Sequence, residues 1–210
     1  MTDRSVTKTS RHRRPKARPG EILAAALELF SERGFSATRM EDISDRAGIS
    51  KAAIYLYFKD KLTLLQTLVQ ETVTINLTKA REMAEHHAGP VSPLISSIVE
   101  FMAGRVETSP MPDILKLVIA ESRSHPEIGR YYLENVVNQG VHFLEGLVQR
   151  GIQSGEFRKV DPALTVRTLF APMLVASIWK TVFQPLGAEP LDIQIFLQLS
   201  NDVLLRGLKP

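Results

Sequence analysis

The chain has 210 residues, of which 44% are hydrophobic and 23% are charged, and its formal net charge is +3. This composition suffices for the buried core of one domain or two small ones, and no apolar run approaches the roughly 20 residues of a membrane-spanning helix. Because the chain contains no cysteine, disulfides and thiolate metal sites are excluded, which fits a reducing cytoplasm. We therefore expect a cytoplasmic protein with no membrane segment, no metal site and no cofactor.

The positive charge is concentrated near the beginning of the chain. Residues 1–61 contain 13 Lys or Arg and 8 Asp or Glu, whereas the remainder contains 13 and 15. Residues 1–17 have few apolar side chains, so we expect a disordered basic arm there. Such an arm suits contact with a phosphate backbone. Disordered tails are also often basic for solubility alone, and both interpretations stay open.

The first predicted helix runs from about Pro19 to Arg33. Proline is tolerated in the first turn because its missing amide would be unpaired there, and Gly34 ends the helix. Its apolar stripe recurs at helical spacing and comprises Ile22, Ala26, Leu29 and Phe30. A second helix is predicted to begin at Thr38, whose hydroxyl would cap the free amides in a capping box with Glu41.

The next residues predict a helix-turn-helix. Ile43 and Ala47 lie on one face of the second helix, and Gly48 permits a sharp turn after it. Ser50 caps a third helix, which we expect over residues 51–58. Two short helices joined by a tight glycine turn form the motif that places its second helix in the DNA major groove. This pattern indicates a DNA-binding protein.

Apolar residues at helical spacing continue to the end of the chain, interrupted by short segments rich in proline and glycine. The remaining predicted helices cover about residues 60–88, 92–107, 113–123, 126–154, 161–183 and 191–206. No strand-like alternation is present. The sequence therefore predicts an all-helical fold of about nine helices.

The segment GISKAAIYLYFKDKLTLL closely resembles the TetR family of bacterial transcriptional regulators. The family pattern, roughly G-(V/I)-S-x-x-x-(I/L)-Y-x-(H/Y)-F-x-x-K-x-x-L, is matched by Gly48, Ile49, Ser50, Ile54, Tyr55, Tyr57, Phe58, Lys61 and Leu64. Upstream, the residues that fall where the family expects them are Phe30, Gly34, Thr38, Ile43 and Ala47. Further on, LKLVIAESRSHPEIGRYY resembles the ligand-domain segment of an AcrR/AefR-like branch.

The resemblance implies a two-domain, all-helical protomer. Residues 18–64 would form the helix-turn-helix DNA-binding domain, and residues 65–210 a ligand-binding and dimerisation domain. The helices at 161–183 and 191–206 of two protomers would pack as a four-helix bundle. The resulting homodimer would bind a palindromic operator in double-stranded DNA and would be released by a lipophilic small-molecule effector. Family habit alone favours a repressor over an activator.

Most residues expected to contact DNA lie on the recognition helix. Lys51 is in its first turn and can donate to a guanine, while the small alanines allow close approach of the backbone. By resemblance, the tyrosine hydroxyls and the Lys61 ammonium would contact phosphates, as would the amino end of the second helix. The full predicted set is Thr38, Arg39, Ser50, Lys51, Ala52, Ala53, Tyr55, Tyr57 and Lys61. Core packing is the alternative role for each tyrosine.

Large apolar side chains on inward faces of the later helices are candidates to line an effector cavity, although such residues are more often plain core. The candidates are Met83, Phe101, Met102, Leu117, Phe143, Phe170, Met173 and Trp179. Beside Phe143, a polar stripe of Asn135, Asn138, Gln139 and His142 recurs at helical spacing. Asn138 and His142 are therefore candidates for orienting a ligand. A solvated helix face explains this stripe equally well.

An enzyme is the main alternative class, and the residues argue against it. The chain has no cysteine nucleophile, no Gly-rich phosphate loop and no nucleophile elbow, and no two of its five histidines have the i, i+4 spacing of a helical zinc site. A helical carrier that has lost DNA binding is a second alternative. The intact set of Tyr55, Tyr57 and Lys61 argues against it.

Overall fold

The computed structural model describes residues 18–210, so the predicted basic arm at 1–17 lies outside the described residues. Within the described range the chain forms nine helices and no strand. The helices are α1 (Arg18–Arg33), α2 (Met40–Arg46), α3 (Lys51–Ile54), α4 (Lys61–Glu85), α5 (Val91–Thr108), α6 (Met111–Glu121), α7 (126–153), α8 (Pro162–Leu186) and α9 (Ile193–Leu208). The predicted all-helical fold is confirmed.

Two of the later helices contain a segment of wider, π-helical winding. In α7, Leu133–Val137 is π-helical and joins Pro126–Tyr132 to Asn138–Gln153 without a break. In α8, the α-helical part ends at Ile178 and Trp179–Phe183 is π-helical. A π-helical turn accommodates one extra residue, and such segments occur frequently at functional sites.

Side-chain caps explain where several of the helices begin. The oxygens of Ser50, Asp60 and Asp161 accept hydrogen bonds from the backbone amides three residues on, at 3.2, 2.7 and 3.0 Å. These three predicted starts are confirmed. Gly34 and Gly48 follow α1 and α2 with φ of 82° and 65°, a left-handed conformation that glycine adopts without a steric penalty.

The predicted start of α2 is wrong. Thr38 lies in the loop before the helix and is buried. Its hydroxyl donates to the carbonyl oxygens of Gly34 and Leu29, at 2.8 and 3.3 Å, so it closes the loop instead of capping the helix. The carboxylate that accepts from the backbone at the helix start belongs to Asp42, at 3.1 Å, and not to Glu41.

The helix-turn-helix unit shares a hydrophobic core with helices from the rest of the chain. Helices α1 to α4 contribute most of the buried side chains, among them Ile22, Phe30 and Ile54. Ile114 of α6 and Ile128 of α7 pack into the same cluster. Helices α6 and α7 therefore pack directly against the N-terminal helices.

The remaining helices form a second packed region. Leu94 of α5, Leu147 of α7, Val166 of α8 and Leu205 of α9 belong to its main cluster. A smaller cluster, which includes Ala176, lies between α5, α8 and α9. Helices α5, α7, α8 and α9 thus enclose the second core, and α4 links it to the helix-turn-helix unit.

By length and composition alone, α8 could cross a membrane, since its most apolar window has a mean hydropathy of 1.3. Arg167 and Lys180 bound the apolar run inside α8, so the helix passes on length and mean hydropathy and not through an uninterrupted apolar run of about 20 residues. The core helices of globular proteins pass the same test, and α8 packs against α5, α6, α7 and α9. Several of its apolar side chains nevertheless remain exposed, including Leu164, Leu174 and Val175.

Candidate DNA-binding surface and effector cavity

The segment after the Gly48 turn presents an exposed and partly apolar surface. α3 ends at Ile54, earlier than predicted, and residues 55–57 form a turn. Tyr55 and Tyr57 are 46% and 39% exposed, and Leu56 between them is 83% exposed. Ile54, by contrast, is fully buried as predicted. Because the two tyrosines are exposed, core packing does not account for them.

The first turn of α3 is polar and exposed. Ser50, Lys51 and Ala52 are exposed, whereas Ala53 is half-buried. Lys51 Nζ lies 2.5 Å from the Glu41 carboxylate of α2. The hydrogen bond between them raises the pKa of Lys51 and lowers the pKa of Glu41, so both groups stay charged. This ion pair positions Lys51 at the junction of α2 and α3.

The loop before α2 contributes less to this surface than predicted. Thr38 is 1% exposed and its hydroxyl is already engaged, so the structure does not present it to DNA. Arg39, the next residue, is exposed at the amino end of α2. A cationic side chain beside free backbone amides suits a phosphate contact.

Lys61 does not extend toward solvent as a phosphate clamp would. Its ammonium donates to the carbonyl oxygens of Phe35 and Ser36, at 2.5 and 3.2 Å, and lies 4.4 Å from the centre of the Phe35 ring. Burial lowers the pKa of Lys61, and the nearby Glu121 carboxylate opposes that shift. In this conformation the hydrogen bonds of Lys61 link the start of α4 to the α1–α2 loop.

Residues at the end of α6 and just before α7 also contact the α1–α2 loop. Glu121 Oε1 accepts from the Phe35 amide at 2.9 Å, and Oε2 accepts from the Ser36 hydroxyl at 3.0 Å. His125 Nε2 also lies 3.0 Å from the Ser36 hydroxyl, and its ring packs edge-on against Phe35. We call Phe35, Ser36, Lys61, Glu121 and His125 the interdomain junction. No sequence motif signals this contact, since its partners are about 86 residues apart.

A cavity of about 600 Å³ lies among α4, α5, α6, α7 and α8. Half of the residues predicted to line it do so, namely Met102, Asn138, Phe143, Phe170 and Met173. Its remaining walls are mostly aliphatic, with Val69 and Val73 from α4 and Ile98 from α5. A mostly apolar cavity with a few polar groups is typical of small-molecule sites.

Five predicted lining residues lie elsewhere. Leu117 is buried in the core shared with the helix-turn-helix unit. Met83 and Phe101 border a separate shallow groove between α4 and α5. His142 is exposed, with Nδ1 2.8 Å from the carbonyl oxygen of Asn138. Trp179 packs against Phe183 and donates to the carbonyl oxygen of Glu189. Helical spacing placed Leu117 on an inward face but did not indicate which interior that face meets, and it did not separate His142 from the solvent-facing positions.

Sequence reasoning missed most of the polar groups in the cavity wall. Thr72 and Asn76 of α4, Tyr132 of α7, and Arg167 and Ser177 of α8 all line it. For Thr72, Asn76 and Tyr132 the available signal was the apolar spacing of α4 and α7, because each of these residues lies one helical turn from a buried position. Among the described residues, no cluster of three or more His, Cys, Asp or Glu could hold a metal ion.

One side of the cavity opens to solvent. Leu133 and Val137 of α7 and Leu174 of α8 line the cavity, yet they are 50%, 39% and 43% exposed. Arg167, the one charged side chain among the described lining residues, is also exposed and donates to the carbonyl oxygen of Ala163 at 2.9 Å. This opening therefore combines apolar walls with a cationic edge.

Comparison with known proteins identifies both halves of the chain. The family model described as "Bacterial regulatory proteins, tetR family" matches residues 22–68, and "Tetracyclin repressor-like, C-terminal domain" matches residues 94–189. The HTH-type transcriptional regulator YfiR of Bacillus subtilis is 30% identical over 158 residues, which span 74% of this chain and 76% of the relative. The fatty acid metabolism regulator protein of the same organism is 26% identical, over 92% of this chain and 94% of the relative.

A solved structure shows the same fold over nearly the whole chain. The transcriptional regulator FadR from Bacillus subtilis, in complex with stearoyl-CoA, superposes with a TM-score of 0.75 and 21% identity, over 90% of this chain and 98% of that chain. The more specific resemblance to an AcrR/AefR-like branch stays a prediction. The two family models and the relatives nevertheless agree, and the chain belongs to the TetR family of helix-turn-helix transcriptional regulators.

Proposed function

We propose that this protein is a dimeric repressor that binds a palindromic operator and is released by a lipophilic effector. The observation that carries the proposal is the exposed face after the Gly48 turn. It sets Tyr55, Leu56 and Tyr57 in solvent on a unit that shares its core with a cavity-bearing domain. A face of this kind needs a partner, and its helix-turn-helix context makes that partner double-stranded DNA. The protein then acts in the cytoplasm as a regulator and not as an enzyme.

The proposed DNA contacts follow the exposed side chains. Lys51 and Arg39 supply cations, Tyr55 and Tyr57 supply hydroxyls for phosphates, and the alanines of α3 allow close approach. The complete proposed set is Arg39, Ser50, Lys51, Ala52, Ala53, Tyr55 and Tyr57. Lys61 would support binding by positioning the α1–α2 loop, since its ammonium is engaged there.

The proposed dimer interface is the exposed apolar face of α8 and α9. Ile195, Leu199 and Val203 recur every four residues along α9 and are 63%, 60% and 64% exposed. Leu164 and Val175 of α8 are exposed in the same way. Exposed apolar side chains that recur along one helix face mark interaction sites. A second copy of the chain, packed helix against helix, would bury both faces. Binding to a palindromic operator then requires the two recognition segments to lie about 34 Å apart, the spacing of successive major grooves.

The proposed effector is lipophilic, and a compound with an aliphatic chain is the first class to test. The cavity walls are largely aliphatic, and one relative is named as a regulator of fatty acid metabolism. The walls also connect the two halves of the chain, because α4 lines the cavity through Val69 and Val73 and begins at Lys61 beside the helix-turn-helix unit. An effector that binds the two conformations unequally would shift operator affinity.

The first experiment measures binding to DNA taken from just upstream of the protein's own gene, at two salt concentrations, against a shuffled fragment. Specific, salt-sensitive binding to an inverted repeat supports the proposal. If neither this fragment nor sequences selected from random DNA bind better than the control, the repressor proposal fails and the alternative of a helical carrier gains support.

The contact assignment is tested with Tyr55→Phe and Tyr57→Phe, which remove only a hydroxyl. Each should weaken operator binding several-fold while thermal unfolding stays unchanged, because both side chains are exposed. A variant that unfolds earlier would show a structural role instead. Dodecanoyl-CoA and dodecanoic acid, added to the bound complex with free CoA as the control, test the effector class by release of the DNA.

A further inference from the structure

Most polar groups in the cavity wall already have hydrogen-bond partners. The Thr72 hydroxyl donates to the carbonyl oxygen of Leu68 at 3.0 Å. The Ser177 hydroxyl donates to the carbonyl oxygen of Met173 at 2.8 Å. Asn76 uses both ends of its amide, since Oδ1 accepts from Arg105 Nε at 2.8 Å and Nδ2 faces the sulfur of Met111 at 3.6 Å. The two hydroxyls are therefore engaged, whereas Asn76 keeps the second N–H of Nδ2 beside its contacts to α5 and α6.

Among the described hydroxyls of the cavity wall, that of the half-buried Tyr132 is the one without a partner. Tyr132 lines the cavity at the last position before the π-helical segment of α7, and its hydroxyl has no hydrogen-bond partner among the described residues. Asn138 and Arg167 also keep free donors, but both are exposed at the opening, where water competes for them. Because the Tyr132 hydroxyl is not among the buried unpaired atoms, water in the cavity can reach it. A ligand group that accepts from it replaces that water, and a ligand without such a group leaves the donor unpaired and loses affinity.

The phenol is neutral at physiological pH, as an ordinary tyrosine is, and burial raises the pKa of Tyr132 further, to about 12. A neutral phenol carries one O–H donor, and a carbonyl or ether oxygen is the group that accepts from it. The ring of Tyr132 also packs against the core shared with the helix-turn-helix unit. A ligand bound here would thus contact a side chain that belongs to both regions.

We propose that the Tyr132 hydroxyl recognises a hydrogen-bond acceptor on the effector, so that the effector is a lipophilic molecule carrying a carbonyl or similar oxygen and not a pure hydrocarbon. The inference rests on the proposed function of the cavity as the effector site. It adds to that function a specific donor and the chemical group that the donor selects.

The test compares benzophenone with diphenylmethane, which share a skeleton and differ by the carbonyl. Both are titrated against bound N-phenyl-1-naphthylamine, a fluorescent apolar probe, in the wild type, Tyr132→Phe and Tyr131→Phe. Tyr131 is the matched control because it neighbours Tyr132 but does not line the cavity. Relative to diphenylmethane, benzophenone should bind roughly three- to tenfold more weakly to Tyr132→Phe than to the wild type. In Tyr131→Phe the ratio of the two Kd values should stay unchanged.

The outcomes separate the two proposals. If both compounds displace the probe and the ratio is the same in all three proteins, the cavity takes lipophilic ligands but the role of Tyr132 is overturned. If neither compound displaces the probe from the wild type, the cavity proposal fails and this inference fails with it. Should Tyr132→Phe not fold, the carbonyl stretch of benzophenone bound to an Asn138→Ala/Arg167→Ala variant, which lacks the free donors at the opening, decides. A shift below its frequency in hexane supports the hydrogen bond, and an unshifted band overturns it.

Discussion

Glu121 accepts a hydrogen bond from the backbone amide of Phe35 at 2.9 Å, although 86 residues separate them in the chain. The same carboxylate accepts from the Ser36 hydroxyl at 3.0 Å. A Cβ at Gly34 would lie only 3.0 Å from Glu121 Oε1, so the glycine gives the carboxylate room to approach the loop. Since α6 also lines the cavity through Ile114, this contact joins the cavity wall to the loop that leads into α2.

Replacing Glu121 with Ala should loosen the α1–α2 loop. The Phe35 amide and the Ser36 hydroxyl would lose their acceptor, which we expect to cost about 1–2 kcal/mol of the free energy of unfolding. Glu121→Gln keeps an acceptor oxygen and should recover most of that loss. Chemical denaturation and hydrogen exchange at the Phe35 amide measure both effects. Glu134→Ala on α7 is the control, since Glu134 is exposed, and equal losses in Glu121→Ala and Glu134→Ala would rule out a specific role.

Lys61→Ala should destabilise the fold by about 1 kcal/mol, because the ammonium bonds to two loop carbonyls. Lys59→Ala, two residues earlier and exposed, should leave stability unchanged. Operator affinity should fall in Lys61→Ala with little change in its dependence on salt. A phosphate contact would instead lower the slope of log K against log[salt] by about 0.9. That result, from titrations at several salt concentrations, would restore Lys61 to the DNA contacts.

Val203→Glu should convert the proposed dimer to a monomer, because a charge would be buried in the middle of the α9 stripe. Light scattering with size-exclusion chromatography measures the mass directly. Ile75→Glu is the matched control, since Ile75 is 55% exposed on α4, outside the proposed interface. If both variants keep the wild-type mass, the exposed face of α8 and α9 is not the dimer interface.

Glu156 should stabilise the protein in a pH-dependent way. α5 begins after Pro90 without a side-chain cap of its own, and the Glu156 carboxylate accepts from the Val91 and Ser92 amides and the Ser92 hydroxyl. Burial alone would raise the pKa of Glu156, but the Ser92 and backbone hydrogen bonds outweigh it and lower the pKa. Because the folded state favours the charged form, this contribution is complete above the unfolded pKa and is lost as the pH falls through the lower folded value.

Glu156→Gln should therefore be less stable than the wild type at pH 7, by about 1–2 kcal/mol. The difference should shrink as the pH falls below the ordinary carboxyl pKa of 4.5. Urea denaturation at pH 7 and near pH 4 measures it, with Glu100→Gln, an exposed glutamate on α5, as the control. A difference that is constant with pH would contradict the carboxylate cap.

Local signals in the sequence predicted the helices well. Ser50, Asp60 and Asp161 act on amides three residues away, so the chain order alone contains the whole interaction. Thr38 has the same local appearance, but its hydroxyl donates to Gly34, four residues back, and to Leu29 on the neighbouring helix α1. A cap is therefore predictable only when no tertiary partner competes for the side chain.

The sequence allowed a largely apolar cavity to be predicted, but it identified only some of the residues that line it. Met102 and Phe101 are adjacent on α5, yet Met102 lines the cavity and Phe101 borders the shallow groove. Their difference depends on how α5 is rotated against its neighbours, which apolar spacing does not specify. Tyr132 and Glu121 were missed for a related reason, since each matters through helices distant in the sequence.

The π-helical segment of α7 has a consequence for the register of that helix. Ile128, Tyr132, Val136, Gly140 and Leu144 follow one another at intervals of four, and each packs in a core or lines the cavity. A regular α-helix, with 3.6 residues per turn, would carry such a series progressively off one face. The single extra residue absorbed at Leu133–Val137 corrects most of that drift. Deleting one residue inside the segment would leave a regular helix with both ends still in phase. The same deletion elsewhere in α7 would rotate the Pro126 end of the helix, which packs against the N-terminal helices, by about 100° relative to the part that lines the cavity.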